Sequence, residues 1–165
     1  MNIQCILIGD SGTGKTSLSQ SQKSKPLPTI GIELINYHHH NLNLNIWDSS
    51  GLPNFKTLIH VFEKQCNTIV YVFAADNPNS FESICEWHQQ LKTEEKIFFC
   101  ICNKIDLASA DPFRIQIEQR FPEIIFIESS ITIRNNRETI LHNIISHSEI
   151  IENRTKAIDG CCRLQ

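Results

Sequence analysis

The sequence contains no apolar run approaching the roughly 18 residues that a membrane-spanning helix needs, and no charged segment precedes its first apolar stretch. We therefore expect neither a secreted nor a membrane-spanning chain. Basic residues are not in excess, since 15 Lys and Arg stand against 18 Asp and Glu, which gives a net charge of −3. That balance argues against the clustered basic face of a nucleic-acid-binding protein. At 165 residues, the chain should form one domain that needs neither disulfides nor metals to fold.

The seven cysteines do not form the pattern of a disulfide framework, since their number is odd. Most lie inside apolar segments, and strand alternation points the Cys100 and Cys102 side chains to the same face. We interpret these cysteines as core residues of a reduced, intracellular protein. The five predicted core cysteines are Cys5, Cys66, Cys85, Cys100 and Cys102.

Half of the scarce glycines lie in residues 9–17, Gly-Asp-Ser-Gly-Thr-Gly-Lys-Thr-Ser, which fit the pattern G-x-x-x-x-G-K-[ST] of a P-loop. In such a loop the backbone N–H groups turn inward and bind phosphate oxygens, a conformation that Gly12 and Gly14 allow. Lys15 should then reach the β- and γ-phosphates, and the Thr16 hydroxyl should hold Mg²⁺. The apolar strand directly before the motif favours this interpretation over a chance glycine-rich turn.

After the P-loop, strands and helices alternate along the chain. The first helix should be short, because Pro26 and Pro28 prevent its continuation, and a mobile, solvated loop should follow. Alternation of strands with helices predicts right-handed βαβ units and a mostly parallel sheet with helices on both faces. The predicted strands are 3–8, 30–37, 41–46, 68–74, 97–102 and 124–127, with the second and third forming an antiparallel hairpin, and the predicted helices are 54–65, 78–91, 111–120 and 135–154.

The closing helix should be anchored on the core by its isoleucines and a leucine, and it should end close to Arg154. We therefore divide the chain into a domain over residues 1–154 and a short tail over residues 155–165. The predicted anchors are Ile140, Leu141, Ile144, Ile145 and Ile151.

Histidines at two places invite a metal-site interpretation. His38, His39 and His40 are consecutive and cannot converge on one ion from a strand or turn, so a solvated hairpin tip is favoured. His88 shares an apolar helical stripe with Phe81, which favours a core or boundary histidine over a ligand.

Two further motifs follow predicted strands, where the ligand-binding loops of such sheets lie. Residues 103–106 read Asn-Lys-Ile-Asp, and the Asp106 carboxylate could accept two hydrogen bonds from guanine N1 and N2, a donor pair that adenine lacks. This pattern predicts GTP rather than ATP. Residues 47–51 read Trp-Asp-Ser-Ser-Gly, in which Asp48 could hold Mg²⁺ through water and Gly51 lets a backbone N–H approach the γ-phosphate.

Five motifs in this order, G-D-S-G-x-G-K-T-S, T-I-G-I-E, W-D-S-S-G, N-K-I-D and E-S-S, resemble the Ras superfamily of small GTPases, and within it most closely the Rab branch. The similarity covers residues 2 to about 152. It implies a GTP/GDP switch on a P-loop GTPase fold, a six-stranded, mostly parallel sheet with one antiparallel hairpin edge, and GTP or GDP with Mg²⁺ as cofactors.

The resemblance also implies roles for individual residues. The implied catalytic residues are Lys15, Thr29 and Gly51, and the implied Mg²⁺ residues are Thr16, Thr29 and, through water, Asp48. The implied surface for effector proteins consists of Ile30, Leu34, Trp47 and Phe62. The implied nucleotide-binding residues are Ser11, Gly12, Thr13, Gly14, Lys15, Thr16, Ser17, Thr29, Gly51, Asn103, Lys104, Asp106, Ser130 and Ile131.

The sequence departs from the superfamily where hydrolysis is controlled. The glutamine that orients the attacking water follows the second-switch glycine in the superfamily, whereas this sequence has Leu52 and then Pro53. Leucine can neither donate nor accept a hydrogen bond, so we predict intrinsic hydrolysis slower by about tenfold or more and a mainly GTP-loaded state wherever GTP exceeds GDP. Alternatively, Asn54 or a partner's residue supplies the missing polar group.

Two departures affect the base. Lys15 and Thr29 are only 14 residues apart, closer than in the superfamily, and no aromatic residue lies between them to pack on the guanine edge. We therefore predict faster nucleotide release than is usual. In addition, Ile131 and Thr132 stand where the superfamily has Ala-Lys, so the packing of that lysine is lost.

The final residues include the adjacent Cys161 and Cys162, which resemble the prenylated ends of Rab proteins. Residues 162–165, Cys-Arg-Leu-Gln, also fit C-a-a-X loosely, with Gln favouring a farnesyl group and Arg weakening the match. The alternative is two unmodified thiols in a frayed terminus.

Together these features predict a monomeric Rab-like switch in membrane traffic or signalling, on the cytoplasmic face of an intracellular membrane and with a cytosolic pool. Expected partners are effectors, an exchange factor, a GTPase-activating protein and the prenylation machinery, but no nucleic acid. One rival is a GTP-bound adaptor without useful turnover, which Leu52 favours. The other, a P-loop kinase for a small metabolite, lacks the lid and second substrate-binding insert that such transfer requires.

Overall fold

The computed structural model describes residues 2–20, 28–39, 42–130, 132–133 and 136–162. These ranges contain one six-stranded sheet with the strand order β2-β3-β1-β4-β5-β6. β2 pairs with β3 antiparallel at one edge, and the other neighbours are parallel. The strands are β1 (Asn2–Ile8), β2 (Ile32–His39), β3 (Leu42–Ser49), β4 (Thr68–Ala74), β5 (Ile97–Asn103) and β6 (Ile124–Glu128).

Five α-helices connect or follow these strands in the described ranges, and together with the sheet they confirm the predicted α/β fold with an antiparallel hairpin edge. The first helix is short, as predicted, at five residues. The helices are α1 (Lys15–Ser19), α2 (Lys56–Phe62), α3 (Pro78–Leu91), α4 (Asp111–Arg120) and α5 (Asn136–Cys162).

Two hydrophobic clusters fill the two faces of the sheet. One lies between the sheet and α2, α3 and α4, and the other joins the opposite face to α1 and α5. β4 and β5 are buried over their full lengths, because alternate side chains enter each cluster: Tyr71 and Phe73 enter the first, and Val70 and Val72 the second. This burial explains the continuous apolar runs of the two strands.

All five cysteines predicted to lie in the core are buried and free, and Cys100 and Cys102 share one cluster as expected from strand alternation. Burial raises the pKa of the Cys66 and Cys102 thiols to about 12, so both stay protonated at neutral pH. Four of the five predicted anchors of α5 are also buried, namely Ile140, Leu141, Ile144 and Ile145, while the side chain of Ile151 lies outside the described part.

Several predicted boundaries were wrong. The helix predicted over 54–65 is divided, with short 3-10 helices at Pro53–Phe55 and Glu63–Gln65 flanking α2, because Pro53 starts the segment with a tight turn. β2 runs from Ile32 to His39 rather than from residue 30 to 37, so two residues predicted for the turn belong to the strand. β3 continues beyond residue 46 to Ser49. The closing helix continues beyond Arg154 to Cys162, since no proline or left-handed glycine stops it. The loop at 21–27 and the hairpin turn at 40–41 lie outside the described residues.

The histidines discussed above lie in different environments. His38 is exposed on β2 with its Nδ1 2.7 Å from Asn43 Oδ1, while His40 and the side chain of His39 are not described. His88 is fully buried against the rings of Phe98 and Phe121, as a core histidine would be. In the described ranges, no group of three or more His, Cys, Asp or Glu side chains could hold a metal ion.

Candidate functional site

The P-loop joins the end of β1 to α1, at the carboxyl edge of the sheet. Gly12 and Gly14 have φ angles of 79° and 98°, the left-handed region that favours glycine. A Cβ atom at Gly14 would lie 2.2 Å from Asn103 Nδ2, which donates a hydrogen bond to the Thr13 carbonyl oxygen at 2.9 Å. The glycine therefore permits both the turn of the loop and its attachment to the end of β5.

Lys15 lies at the start of α1 and is almost fully buried, with 5% of its surface exposed. Its Nζ donates hydrogen bonds to the carbonyl oxygens of Gly9 and Asp10, both at 2.8 Å. Burial lowers the pKa of Lys15 to about 8, against the opposing effect of the nearby carboxylates of Asp48 and Asp10. The ammonium group is therefore still mostly charged at pH 7, as phosphate binding requires.

Three residues predicted to hold Mg²⁺ converge from separate segments of the chain. Asp48 Oδ2 lies 2.7 Å from Thr16 Oγ1 and 3.1 Å from Thr29 Oγ1, and the two hydroxyl oxygens are 2.8 Å apart. Asp48 Oδ1 is buried and has no hydrogen-bond partner among the described residues. Burial raises the pKa of Asp48, while its hydrogen bonds from the two threonines oppose that shift. An oxygen-rich set with an unpaired carboxylate atom suits a hard cation such as Mg²⁺.

Gly51 packs against the P-loop just after β3. A Cβ atom at this position would lie 2.2 Å from the backbone nitrogen of Ser11 and 2.3 Å from the carbonyl carbon of Asp10. Only glycine can therefore bring the segment after β3 this close to the P-loop. Leu52 follows with its N–H donating to Ser50 Oγ at 3.3 Å and its side chain 43% exposed, and Asn54 is exposed as well.

The predicted guanine-binding residues meet at the ends of β5 and β6. Asp106 is exposed, and its Oδ1 accepts a hydrogen bond from the buried hydroxyl of Ser130. Lys104 has a φ of 61° and pairs with Asp76 at 3.4 Å. Ile131 lies outside the described residues. The two loops thus present one oriented carboxylate at the edge of the sheet.

The predicted effector-facing residues lie mostly together, on the β2–β3 hairpin and α2. Leu34 and Trp47 face each other across the β2–β3 pair, and the rings of Trp47 and Phe62 are 4.7 Å apart between centroids. Leu34 is 44% exposed, and Ile30, just before β2, is 82% exposed. Ile30 directly follows Thr29 in the chain.

The structure also contains contacts that sequence reasoning missed. Ser83 on α3 donates a hydrogen bond to Asp10 Oδ2 at 2.9 Å and so braces the P-loop from outside. Arg137 on α5 reaches the end of α1, where its Nη2 donates to the Ser19 carbonyl oxygen at 2.7 Å. These pairs are 73 and 118 residues apart in the chain, and no local pattern signals them.

The terminal cysteines fall at the end of the longest helix, because α5 includes both Cys161 and Cys162. A search of the described residues finds no helix both long and apolar enough to cross a bilayer.

Comparison with known proteins agrees with this geometry. The model of the Ras family matches residues 4–150. Similar curated proteins include the Ras-related protein Rab-1 of Theileria parva, with 32% identity over 81% of this chain and 68% of the relative. The Arabidopsis thaliana Ras-related proteins RABG1 and RABG3b share 31% and 28% identity over 67% and 64% of this chain. The chain spans 62% and 60% of the length of those two relatives.

Proposed function

Because the chain belongs to the Ras family, near its Rab branch, we propose that it is a GTP/GDP-binding switch in membrane traffic or signalling with slow intrinsic GTP hydrolysis. The observation that carries this proposal is the convergence of Thr16, Thr29 and Asp48 within 3.1 Å. Thr29 belongs to the segment before β2, so a ligand at this point would fix the position of that segment. A coupling of this kind is what a nucleotide-controlled switch requires.

Phosphate binding is assigned to the P-loop. The left-handed glycines allow successive N–H groups to face an anion. Lys15 adds a positive charge, and its attraction to an anion is stronger because burial excludes water. Thr16, Thr29 and Asp48 would hold Mg²⁺, whose bound form neutralises charge on phosphate oxygens. The lone Asp48 Oδ1 gives that ion, or a water bound to it, an acceptor that no described residue uses.

Base recognition is assigned to Asp106. Its carboxylate can accept from guanine N1–H and N2–H at once, whereas adenine presents an acceptor at N1. Ser130 keeps one carboxylate oxygen hydrogen-bonded and so limits the orientations of an otherwise exposed side chain. Guanine rather than adenine nucleotides are therefore the proposed ligands.

Slow hydrolysis is proposed on the basis of Leu52. Positioning of the attacking water is most of what such a site contributes chemically, and a leucine side chain cannot take part in it. The segment from Ser50 to Asn54 offers Ser50 and Asn54 as polar side chains, but Ser50 is buried and already accepts the Leu52 N–H. Asn54 is thus the exposed candidate on this segment for a substitute group.

A GTP-bound adaptor without useful turnover is the second candidate, and the exposed apolar surface favours it. Leu34, Leu52 and Val61 are 44%, 43% and 53% exposed, and Leu34 lies opposite Trp47, whose ring packs on Phe62. Trp47 Nε1 is buried and lacks a hydrogen-bond partner in the described part of the chain. A surface of this composition fits an effector protein, and a GTP-bound adaptor would display it permanently.

Membrane attachment is proposed through prenylation of Cys161 and Cys162. Two lipid chains give stable anchoring where one gives reversible contact. The proposed location is the cytoplasmic face of an intracellular membrane with a cytosolic pool, and the proposed regulators are an exchange factor and a GTPase-activating protein. The prenylation machinery would be a further partner.

Single-turnover hydrolysis of pre-bound radiolabelled GTP with Mg²⁺, with nucleotide release followed in the same samples, tests the proposal. Slow phosphate production from a GTP-bound complex supports a switch, and release of intact GTP before any phosphate appears supports the adaptor. Failure to bind GTP in preference to ATP would refute both. The variants Lys15→Ala and Asp106→Ala should each abolish tight binding, and Lys64→Ala, an exposed lysine beyond α2, should not.

A further inference from the structure

We propose that Thr132 and Asn136 act as positioning residues that hold the Asp106 carboxylate for guanine, and that they thereby set the base selectivity of the site. This inference rests on the proposed guanine-nucleotide function. Both residues lie on the path from β6 to α5, and neither needs to touch the base for this role. The superfamily has a lysine at position 132, which carries no hydroxyl. The hydrogen bond of the Thr132 hydroxyl is therefore specific to this chain.

The first observation is the hydrogen bonding around the Ser130 hydroxyl. Its oxygen accepts from the Thr132 N–H at 3.1 Å and lies 2.7 Å from Thr132 Oγ1, while it donates to Asp106 Oδ1. A hydroxyl has one proton and two lone pairs. Thr132 can fill both lone pairs with its N–H and its O–H, and the single Ser130 proton is then directed to Asp106.

The second observation concerns the frame of the same loop. Asn136, the first residue of α5, donates through Nδ2 to the Ser130 carbonyl oxygen at 2.8 Å and to Ser129 Oγ at 3.0 Å. Ser129 is also tied to β5, because its N–H donates to the Cys102 carbonyl oxygen at 2.9 Å and its own carbonyl oxygen accepts from the Ile105 N–H at 3.2 Å. Asn136 therefore joins α5 to the loop pair that carries Asp106.

Orientation of the carboxylate matters because Asp106 itself is exposed, whereas Ser130 is fully buried. An exposed carboxylate without a partner samples several rotamers, and only some aim both oxygens at the base. Guanine offers N1–H and the N2 amino group, while hypoxanthine offers N1–H alone. Selectivity for GDP over IDP therefore reports how well the carboxylate is aimed, and it separates aiming from general affinity.

The experiment measures dissociation constants of GDP, IDP and ADP on the full chain by competition with a fluorescent GDP analogue. Thr132→Val keeps the size and the backbone N–H of Thr132 and removes only its hydroxyl, and Thr132→Ser restores the hydroxyl. Asn136→Ala removes both side-chain donors. Thr93→Val is the matched control, since Thr93 is exposed and precedes the amino end of β5, whereas the base loops follow the carboxyl ends of β5 and β6.

Thr132→Val and Asn136→Ala should each reduce the ratio of the IDP to the GDP dissociation constant by about threefold to tenfold, the effect of one weakened hydrogen bond to a charged group. Thr132→Ser and Thr93→Val should keep the parental ratio. Thermal unfolding of each variant checks that it is folded, and Thr132→Ala replaces the valine variant if that one is not.

The outcomes separate this inference from the proposed function. A parent chain that does not prefer GDP to ADP would refute the proposed function and this inference with it. A parent that prefers GDP, with variants that keep its IDP-to-GDP ratio or lose affinity for both nucleotides equally, would refute only the positioning role. A ratio that changes in one variant alone would remove the other residue from the assignment.

Discussion

Arg137 Nη2 donates a hydrogen bond to the main-chain carbonyl oxygen of Ser19, the last residue of α1. A helix of five residues leaves its final carbonyl groups without intrahelical partners and is unstable alone. The same guanidinium lies 5.5 Å from the centre of the Tyr37 ring on β2. The first turn of α5 therefore supports both the phosphate-binding helix and the hairpin edge.

Replacing Arg137 with methionine should lower the free energy of unfolding by about 1.5–3 kcal/mol, the usual range for a hydrogen bond to a charged group. Nucleotide release should also accelerate, because α1 begins at Lys15. Urea unfolding and the release rate of a fluorescent GDP analogue measure the two effects. Lys64→Met, which removes a charge from an exposed residue, is the control. Unchanged release in Arg137→Met would show that this contact does not support the site.

The features that could be predicted are those encoded by local patterns of residue types. Continuous apolar runs identified β4 and β5, strict alternation identified β3, and a short α1 was predicted from Pro26 and Pro28. The P-loop and the Asn-Lys-Ile-Asp motif were recognisable because phosphate and guanine recognition require fixed residue types at fixed spacing.

Other features depend on contacts between distant residues or on weak local preferences. The Ser83–Asp10 and Arg137–Ser19 hydrogen bonds appear only after folding brings separate elements together. The division of the segment around α2 reflects a small energy difference between 3-10 and α geometry, which no sequence period encodes.

Replacing Leu52 with glutamine should increase single-turnover GTP hydrolysis by about tenfold or more, because it restores a side chain that can orient water. The matched control is Leu58→Gln, another exposed leucine on the same segment. If Leu52→Gln hydrolyses no faster than the parent, the missing glutamine is not what limits the rate. A hydrolysis rate in Asn54→Ala below that of the parent would then identify Asn54 as the substitute group.

Replacing Gly51 with alanine should weaken nucleotide binding, because the new Cβ meets backbone atoms of Asp10 and Ser11 that cannot move without moving the P-loop. A stability loss of about 1–3 kcal/mol should accompany it. Gly31→Ala is the comparison, since no atom lies within 4 Å of that Cβ and only its positive φ of 81° is unfavourable. Equal nucleotide affinity in the two variants would contradict the steric argument.

His88 should make the protein less stable in mild acid. Burial lowers the pKa of His88 despite the favourable hydrogen bond from Nε2 to Glu123 at 2.9 Å, and Nδ1 lies 3.3 Å from the Tyr71 hydroxyl. Below the ordinary value of 6.5, the unfolded chain binds a proton at this position before the folded chain does. Stability from His88 is therefore complete above pH 6.5 and is lost as the pH falls below it.

Urea unfolding at pH 7.5 and pH 5.5 measures this effect of His88. The parent should lose more stability between the two conditions than His88→Gln does, while His60→Gln, at an exposed histidine, should behave like the parent. Comparing pH slopes rather than absolute stabilities removes the contributions of other groups, including the raised pKa of Asp48. Equal slopes in the parent and His88→Gln would show that the pKa of His88 does not differ between the folded and unfolded chains.

Lipidation predicts a mass increase. The full chain isolated from eukaryotic cells should carry the mass of one or two prenyl groups, and Cys161→Ser with Cys162→Ser should carry none. The single variants show which cysteine is modified, and protein from bacteria supplies the unmodified reference. An unmodified mass from the eukaryotic host would leave the two thiols without this role.

The strand order has a consequence for how the protein is made. Thr16 and Ser130, which are proposed to serve the phosphate and base ends of the site, are 114 residues apart in the chain. At a synthesis rate of about 5–20 residues per second, roughly 6–23 s pass between them on the ribosome. β1 can pair within the sheet only after its neighbours, β3 and β4, have been synthesised. Cellular GTP can thus stabilise only a nearly finished domain, and it cannot guide the early steps of folding during translation.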